Sequence, residues 1–111
     1  MQKIKFITKE DVLELMENKE DFKLVDSLSA ESFKKGHILG SINIPVQRIE
    51  ELAPELLPNK DQLIVVYCAS YTCQTSTGAV RALNELGYTN VLDYKGGKKD
   101  WDEAGIGLVT I

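Results

Sequence analysis

Short apolar runs alternate with segments of helical periodicity along this 111-residue chain. The strongest run, Leu63–Tyr67, is continuously apolar, which is typical of a central parallel strand covered on both faces. Weaker strand patterns occur at residues 4–7, 24–26, 42–44 and 91–94. Apolar residues at helical spacing lie between these segments. Because strands alternate with helices, the pattern predicts an α/β fold with a mainly parallel sheet.

Capping residues predict where several helices begin and end. Thr8, followed by Asp11, predicts one helix start, and Ser29 predicts the start of a short helix that Gly36 ends. Gly87 is predicted to be the C-terminal cap of the helix before it.

Two further boundaries follow from proline and hydroxyl residues. The helical pattern around Ile49 and Leu52 is predicted to break near Pro54 and Pro58. Thr75 and Ser76 are predicted to be N-cap residues of the helix that follows the strongest strand.

Length and charge limit the function classes. We expect one domain over residues 1–111, since two ordinary domains would need a longer chain. The net charge of −4 and the absence of a basic run disfavour nucleic-acid binding, and no apolar stretch is long enough for a membrane span. Met1 suggests an intact chain, and no signal-peptide core follows it, so we expect a cytoplasmic protein.

The two cysteines, Cys68 and Cys73, are the main candidates for chemistry. With one distant histidine they fall short of a four-ligand structural zinc site, so we expect no metal, and a cytoplasmic protein has little use for a structural disulfide. Cys68 follows the strongest strand, and ligands bind at the carboxyl ends of parallel strands. Backbone N–H groups of the next loop and helix start would favour an anion there, so we expect the Cys68 thiol to lose its proton readily. The alternative is an inert cysteine that only packs at a strand end.

Five segments, in order, resemble the rhodanese-like family over nearly the whole chain. They are Leu24-Val25-Asp26, Gly36-His37-Ile38-Leu39-Gly40-Ser41-Ile42-Asn43-Ile44-Pro45, Val66-Tyr67-Cys68, Leu86-Gly87-Tyr88-Thr89-Asn90-Val91, and Tyr94-Lys95-Gly96-Gly97 with Trp101 and Gly105.

The resemblance implies a three-layer domain with a five-stranded sheet, and a single-domain sulfurtransferase without a cofactor. Cys68 would be the nucleophile that takes sulfane sulfur from thiosulfate or a persulfide and passes it, as a persulfide, to a thiol or other thiophilic acceptor. A sulfur-relay protein is a further candidate partner. The backbone amides of the loop would bind the donor; by position these belong to Ala69, Ser70, Tyr71, Thr72 and Cys73.

Loop length separates this chain from related phosphatases. The loop from Cys68 to Cys73 spans six residues, as in the sulfurtransferases, whereas phosphatases with a Cys-x5-Arg loop need one residue more and an arginine. Both differences disfavour phosphatase activity.

The chain also departs from its relatives. Many of them have Arg or Lys where this chain has Cys73, and commonly Arg where it has Leu28. Without a loop cation, we expect a persulfide donor rather than the thiosulfate dianion. Lys95, Lys98 and Lys99 are candidate cations near the site, but the sequence does not place them.

Cys73 has two alternative roles. It is a candidate resolving thiol, which would attack a Cys68 persulfide or sulfenic acid and leave a disulfide. Alternatively it is a neutral substitute for the usual cation and only packs inward.

The remaining candidates are predicted to be mainly structural. We expect His37 and Asp26 to make structural hydrogen bonds, and Trp101 to lie in the core. Tyr71 either lines the pocket or is an ordinary exposed loop residue, and Gly96-Gly97 permits a tight turn.

Two other functions remain open. One is a non-catalytic rhodanese-like binding or regulatory module, and the other is a thiol-redox protein that uses Cys68 and Cys73.

Overall fold

One five-stranded sheet forms the centre of the described part of the chain, residues 3–111 of a computed structural model. Its strands are Lys5–Phe6 (β1), Phe22–Asp26 (β2), Ile42–Asn43 (β3), Leu63–Tyr67 (β4) and Val91–Tyr94 (β5). The helices are Lys9–Glu17 (α1), Ala30–Lys35 (α2), Ile49–Leu56 (α3), Thr75–Glu85 (α4) and Gly97–Glu103 (α5), with a 3-10 turn, Val46–Arg48, before α3. The spatial order is β1-β5-β4-β2-β3, and every pairing is parallel, so the predicted α/β fold is confirmed.

The central strand β4 contributes to a core on each face of the sheet. Ile64 and Val66 point into the core beneath α3 and α4, whereas Val65 and Tyr67 point into the core that contains α1 and α5. Alternate residues of a strand face opposite sides of a sheet, so only a continuous apolar run can fill both cores. The interpretation of this run as a central, doubly covered strand is confirmed.

Local capping agrees with the sequence. The Thr8 hydroxyl accepts a hydrogen bond from the Asp11 N–H (3.1 Å), and Ser29 caps α2, which Gly36 ends. Gly87 has a φ of 96°. Its N–H donates to the Asn84 carbonyl (3.1 Å), and the Tyr88 N–H donates to the Leu83 carbonyl (3.1 Å), both in the last turn of α4. This is the Schellman arrangement for which glycine is favoured.

Of the two prolines predicted to break this helix, Pro54 does not break it, whereas the helix does end before Pro58. Pro54 lies inside α3, which continues to Leu56, and the Leu57 N–H still donates to the Ala53 carbonyl (2.7 Å). The proline is exposed, while Ile49 and Ala53 are buried against the core. Tertiary packing therefore holds the helix despite the one hydrogen bond that proline removes.

None of the helices formed by residues 3–111 has the length and apolar character required to cross a membrane. Met1 and Gln2, on which the expectation about the start of the chain partly depends, lie outside the described residues.

Strand register determines which residues meet at the carboxyl edge of the sheet. Tyr67 of β4 pairs with Asp26 of β2 on one side and with Tyr94 of β5 on the other. The next residues, Cys68 and Lys95, therefore leave adjacent strands at the same level.

Candidate active site

Cys68 lies directly after β4 and its side chain faces the first turn of α4. The residue is fully buried. Its thiol lies 3.3 Å from the Ser76 hydroxyl, to which it donates, and 3.6 Å from the Cys73 carbonyl. The strand thus delivers the sulfur to the centre of the active-site loop, residues 68–73.

The predicted N-cap role of Thr75 and Ser76 is wrong. The N-cap residue is Gln74, which makes no side-chain capping bond, and Thr75 and Ser76 are the first two residues of α4. Ser76 is buried with its hydroxyl against the Cys68 sulfur. The Ser76 hydroxyl is therefore hydrogen-bonded to the Cys68 sulfur and does not cap the helix.

The expectation that Cys68 loses its proton readily is also wrong. Burial and then the neighbouring Cys73 raise the pKa of Cys68, and the hydroxyl and N–H of Ser76 offset this only in part. The resting form of Cys68 is therefore the thiol.

The pKa of Cys73 is shifted in the opposite direction to that of Cys68. Partial burial alone would raise the pKa of Cys73, but hydrogen bonds from the Cys68 thiol, the Thr75 hydroxyl, and the N–H groups of Ala69 and Thr75 lower it to about 7. The N–H of Cys73 itself donates to the Ser70 carbonyl (3.0 Å). The Ala69 N–H, one of the groups expected to bind a donor, is among the groups that lower the pKa of Cys73. Donor binding by residues 69–73 stays a prediction.

The reactivity of Cys73 should depend on pH near neutrality. A thiolate forms above its pKa, so alkylation of Cys73 by iodoacetamide should rise with pH through a midpoint of about 7. Peptide mapping of the alkylated protein at a series of pH values measures this. Thr75→Val, which removes one donor to the thiolate, should move the midpoint upward, and an unchanged midpoint would contradict the assignment.

The start of α5 holds the active-site loop through backbone contacts. The N–H groups of Lys98 and Lys99 donate to the carbonyls of Cys68 (3.0 Å) and Ala69 (2.9 Å). Gly97 has a φ of 63°, and a Cβ at this position would collide with the Cys68 carbonyl. The tight turn predicted for Gly96-Gly97 is confirmed, and the contact with Cys68 is additional.

The structure places the three lysines that the sequence left unplaced. The Lys95 ammonium donates to the Cys73 carbonyl, which also faces the Cys68 sulfur. Lys98 pairs with Asp26 instead (3.4 Å), and Lys99 is exposed. The cation missing from the loop sequence is therefore supplied by Lys95 from the end of β5.

The structural roles expected for three candidates are confirmed. His37 donates through Nδ1 to the Phe33 carbonyl (2.7 Å) and stacks on the Phe33 ring. Asp26 is fully buried and accepts from the Leu28 N–H (2.9 Å), and Trp101 is a core residue.

Tyr71 lies at the exposed tip of the active-site loop, with 64% of its surface accessible. It borders a cavity of about 170 Å³ between the loop tip and α5, which Ser70, Thr72, Lys99, Asp100 and Glu103 also line. Tyr71 is therefore exposed, and because Cys68 does not line this cavity, a role for Tyr71 at the Cys68 site or with a partner stays a prediction.

Sequence reasoning missed the contacts of Ser76 and Lys95 with the site. The position of Ser76, eight residues after Cys68 at a helix start, is a usable indication. Lys95 could be found only from the adjacency of β4 and β5.

Comparison with known proteins gives the family. Residues 8–104 match the family model described as the Rhodanese-like domain. The chain belongs to the rhodanese-like family. Its similarity to this family extends over most of the sheet and both sides of the active-site loop.

Individual rhodanese-like relatives are similar at modest identity. The thiosulfate sulfurtransferase PspE of Escherichia coli is 34% identical over 76 residues, which cover 68% of this chain and 70% of PspE. The Escherichia coli protein YibN is 36% identical over 109 residues, covering 96% of this chain and 73% of YibN. The crystal structure of a rhodanese-related protein from Thermoplasma volcanium superimposes with a TM-score of 0.78 at 31% identity, covering 96% of this chain and 99% of that one.

Proposed function

We propose that this protein is a cytoplasmic sulfurtransferase that carries sulfane sulfur as a persulfide on Cys68. The sulfur comes from a small donor and passes to a thiol, which belongs either to a small molecule or to a sulfur-relay protein. Membership of the rhodanese-like family and the similarity to a thiosulfate sulfurtransferase support this activity.

One observation carries the proposal: the Cys68 sulfur faces the first turn of α4 and lies 3.3 Å from the Ser76 hydroxyl. An anion is stabilised at a helix start by N–H groups and by the helix dipole. A persulfide anion extends one sulfur atom beyond the Cys68 thiol and places its charge nearer to these donors.

Charge at the loop favours a persulfide donor over thiosulfate. Near neutral pH the Cys73 thiolate is partly formed, because hydrogen bonds lower its pKa to about 7. This thiolate repels thiosulfate, which carries two charges on the reacting group, more strongly than a persulfide, which carries one charge there. Lys95, the cation at the loop, is engaged by the Cys73 carbonyl. Charges about 4 Å apart interact by about 1–4 kcal/mol at the effective dielectric of water or a protein surface, so we expect loading by glutathione persulfide to be at least about tenfold faster.

The test is to load the reduced Cys73→Ser protein, in which Cys68 is the only thiol, with glutathione persulfide or thiosulfate. Intact mass and peptide mapping should show one added sulfur on Cys68. The matched control, Cys68→Ala in the same background, should show none. The preference for the persulfide is tested in wild type, where the Cys73 thiolate is present and glutathione persulfide should be consumed faster than thiosulfate.

Failure of both donors to add sulfur would contradict the proposal. A rhodanese-like binding module without turnover would then account better for the chain.

A further inference from the structure

The second thiol of the active-site loop is placed to react with the first. A turn in which the Cys73 N–H donates to the Ser70 carbonyl folds the loop back on itself. As a result, the Cys68 sulfur lies 3.6 Å from the Cys73 carbonyl, and both cysteines are in the free, reduced form. Cys68 is fully buried, whereas Cys73 is partly exposed on the same loop.

We propose that Cys73 discharges the Cys68 persulfide inside the loop, so that the sulfane sulfur leaves as hydrosulfide and a Cys68–Cys73 disulfide forms. This inference rests on the proposed function, since it requires a persulfide on Cys68. It goes beyond that function because it assigns a product, hydrosulfide, and a second reacting residue.

The step balances as one thiol–disulfide exchange. The Cys73 thiolate attacks Sγ of Cys68, the bond between the two cysteine sulfurs forms, and the bond from Sγ to the outer sulfur breaks. The electron pair leaves with the outer sulfur as hydrosulfide. Two molecules of a small thiol then reduce the intramolecular disulfide and become a disulfide themselves, which restores both cysteines.

The contacts of the two sulfurs favour this direction. Cys73 has the donors that stabilise a thiolate, namely the Thr75 hydroxyl and the N–H groups of Ala69 and Thr75, so it is the better nucleophile of the pair. Burial raises the pKa of Cys68, which makes the Cys68 thiolate a poor leaving group. Attack on the outer sulfur would have to expel Cys68, whereas attack on Sγ expels hydrosulfide.

The position of Cys73 also explains how one loop serves both steps. Because Cys68 has no exposed surface, the active-site loop must open for a donor to reach Sγ. When the loop closes again after loading, Cys73 returns to its place beside Cys68, where its carbonyl lies 3.6 Å from the Cys68 sulfur.

The experiment compares reduced wild type with Cys73→Ser and Cys68→Ser, each given one equivalent of glutathione persulfide without oxygen and without any added thiol. Samples are quenched at short times with an alkylating reagent, and released sulfide, intact mass and the loop peptides are measured. Wild type should release about one equivalent of sulfide and form the Cys68–Cys73 disulfide. Cys73→Ser should keep the added sulfur on Cys68 and release sulfide at least about tenfold more slowly, and Cys68→Ser should do neither.

The outcomes separate the two proposals. If Cys73→Ser is loaded and wild type keeps its persulfide equally long, the role of Cys73 is overturned and the sulfurtransferase proposal stands. If Cys73→Ser takes up no sulfur from glutathione persulfide, nor from thiosulfate in the loading test, the sulfurtransferase proposal itself fails. If Cys73→Ser instead carries a glutathione adduct, the wild-type disulfide arises by thiol-redox chemistry, and this also overturns the inference.

Discussion

Replacing Gly97 with alanine is expected to lower the free energy of unfolding by about 3 kcal/mol and to displace the loop that holds Cys68. Gly97 has a φ of 63°, where an L side chain is strained, and the added Cβ would collide with the Cys68 carbonyl. This carbonyl accepts from the Lys98 N–H, so relief of the collision must break or lengthen that hydrogen bond. Urea denaturation measures the loss of stability. A shift in the pH midpoint of Cys73 alkylation reports displacement of the active-site loop.

Gly105→Ala is the matched control for this substitution. Gly105 also has a positive φ, of 82°, but no atom lies within 4 Å of a Cβ built on it. Gly105→Ala should therefore lower the free energy of unfolding only through backbone strain, by about 1 kcal/mol, and leave the pH midpoint of Cys73 alkylation unchanged. Equal losses of stability in the two variants would show that the contact between Gly97 and Cys68 has no energetic role.

Features determined by neighbours in the sequence were predictable. The caps at Thr8, Ser29 and Gly87 depend on hydrogen bonds within a few residues, and the run Leu63–Tyr67 indicates its own double burial. The helix through Pro54 was not predictable in this way. Its persistence depends on a core to which distant segments contribute, so local propensity was overridden.

The candidate site also has features that depend on sequence neighbours and features that depend on distant segments. The strand–loop–helix pattern around Cys68 indicates where a reactive sulfur would lie, because the strand end and helix start are local features. The proton affinities of the two cysteines were not predictable from the pattern. They depend on which sulfur is buried and on which N–H groups the Cys73 side chain reaches, and both are set by the folded loop.

A cation reaches the active-site loop although the loop sequence contains none, so the loop sequence alone gives the wrong charge for the site. Residues 68–76 contain no Lys or Arg, yet Lys95 reaches the Cys73 carbonyl from a position 22 residues further along the chain. Parallel pairing of β4 with β5 places Lys95 beside the loop. Charge at the end of a parallel strand must therefore be counted over adjacent strands rather than over one loop.

A second large effect is expected at Lys98. Asp26 is fully buried, and its Oδ2 atom lies 3.4 Å from the Lys98 ammonium, which also donates to the Ser32 carbonyl (3.0 Å). Lys98→Met keeps the hydrocarbon stem but leaves the Asp26 carboxylate buried without its opposite charge. Removal of one partner of a buried ion pair costs about 3–5 kcal/mol, and we expect a loss in this range in urea denaturation.

Lys99→Met is the matched control, since Lys99 is the next residue of α5 and its side chain is exposed. It should change the free energy of unfolding by no more than about 0.5 kcal/mol. Adding Asp26→Asn to Lys98→Met should recover much of the loss, because the amide oxygen can still accept from the Leu28 N–H while no charge remains buried. A Lys98→Met loss no larger than that of Lys99→Met would exclude the ion pair as a source of stability.

The large loss is expected because this pair ties the start of α5 to the end of β2, at the point where the N–H of Lys98 also holds the Cys68 carbonyl.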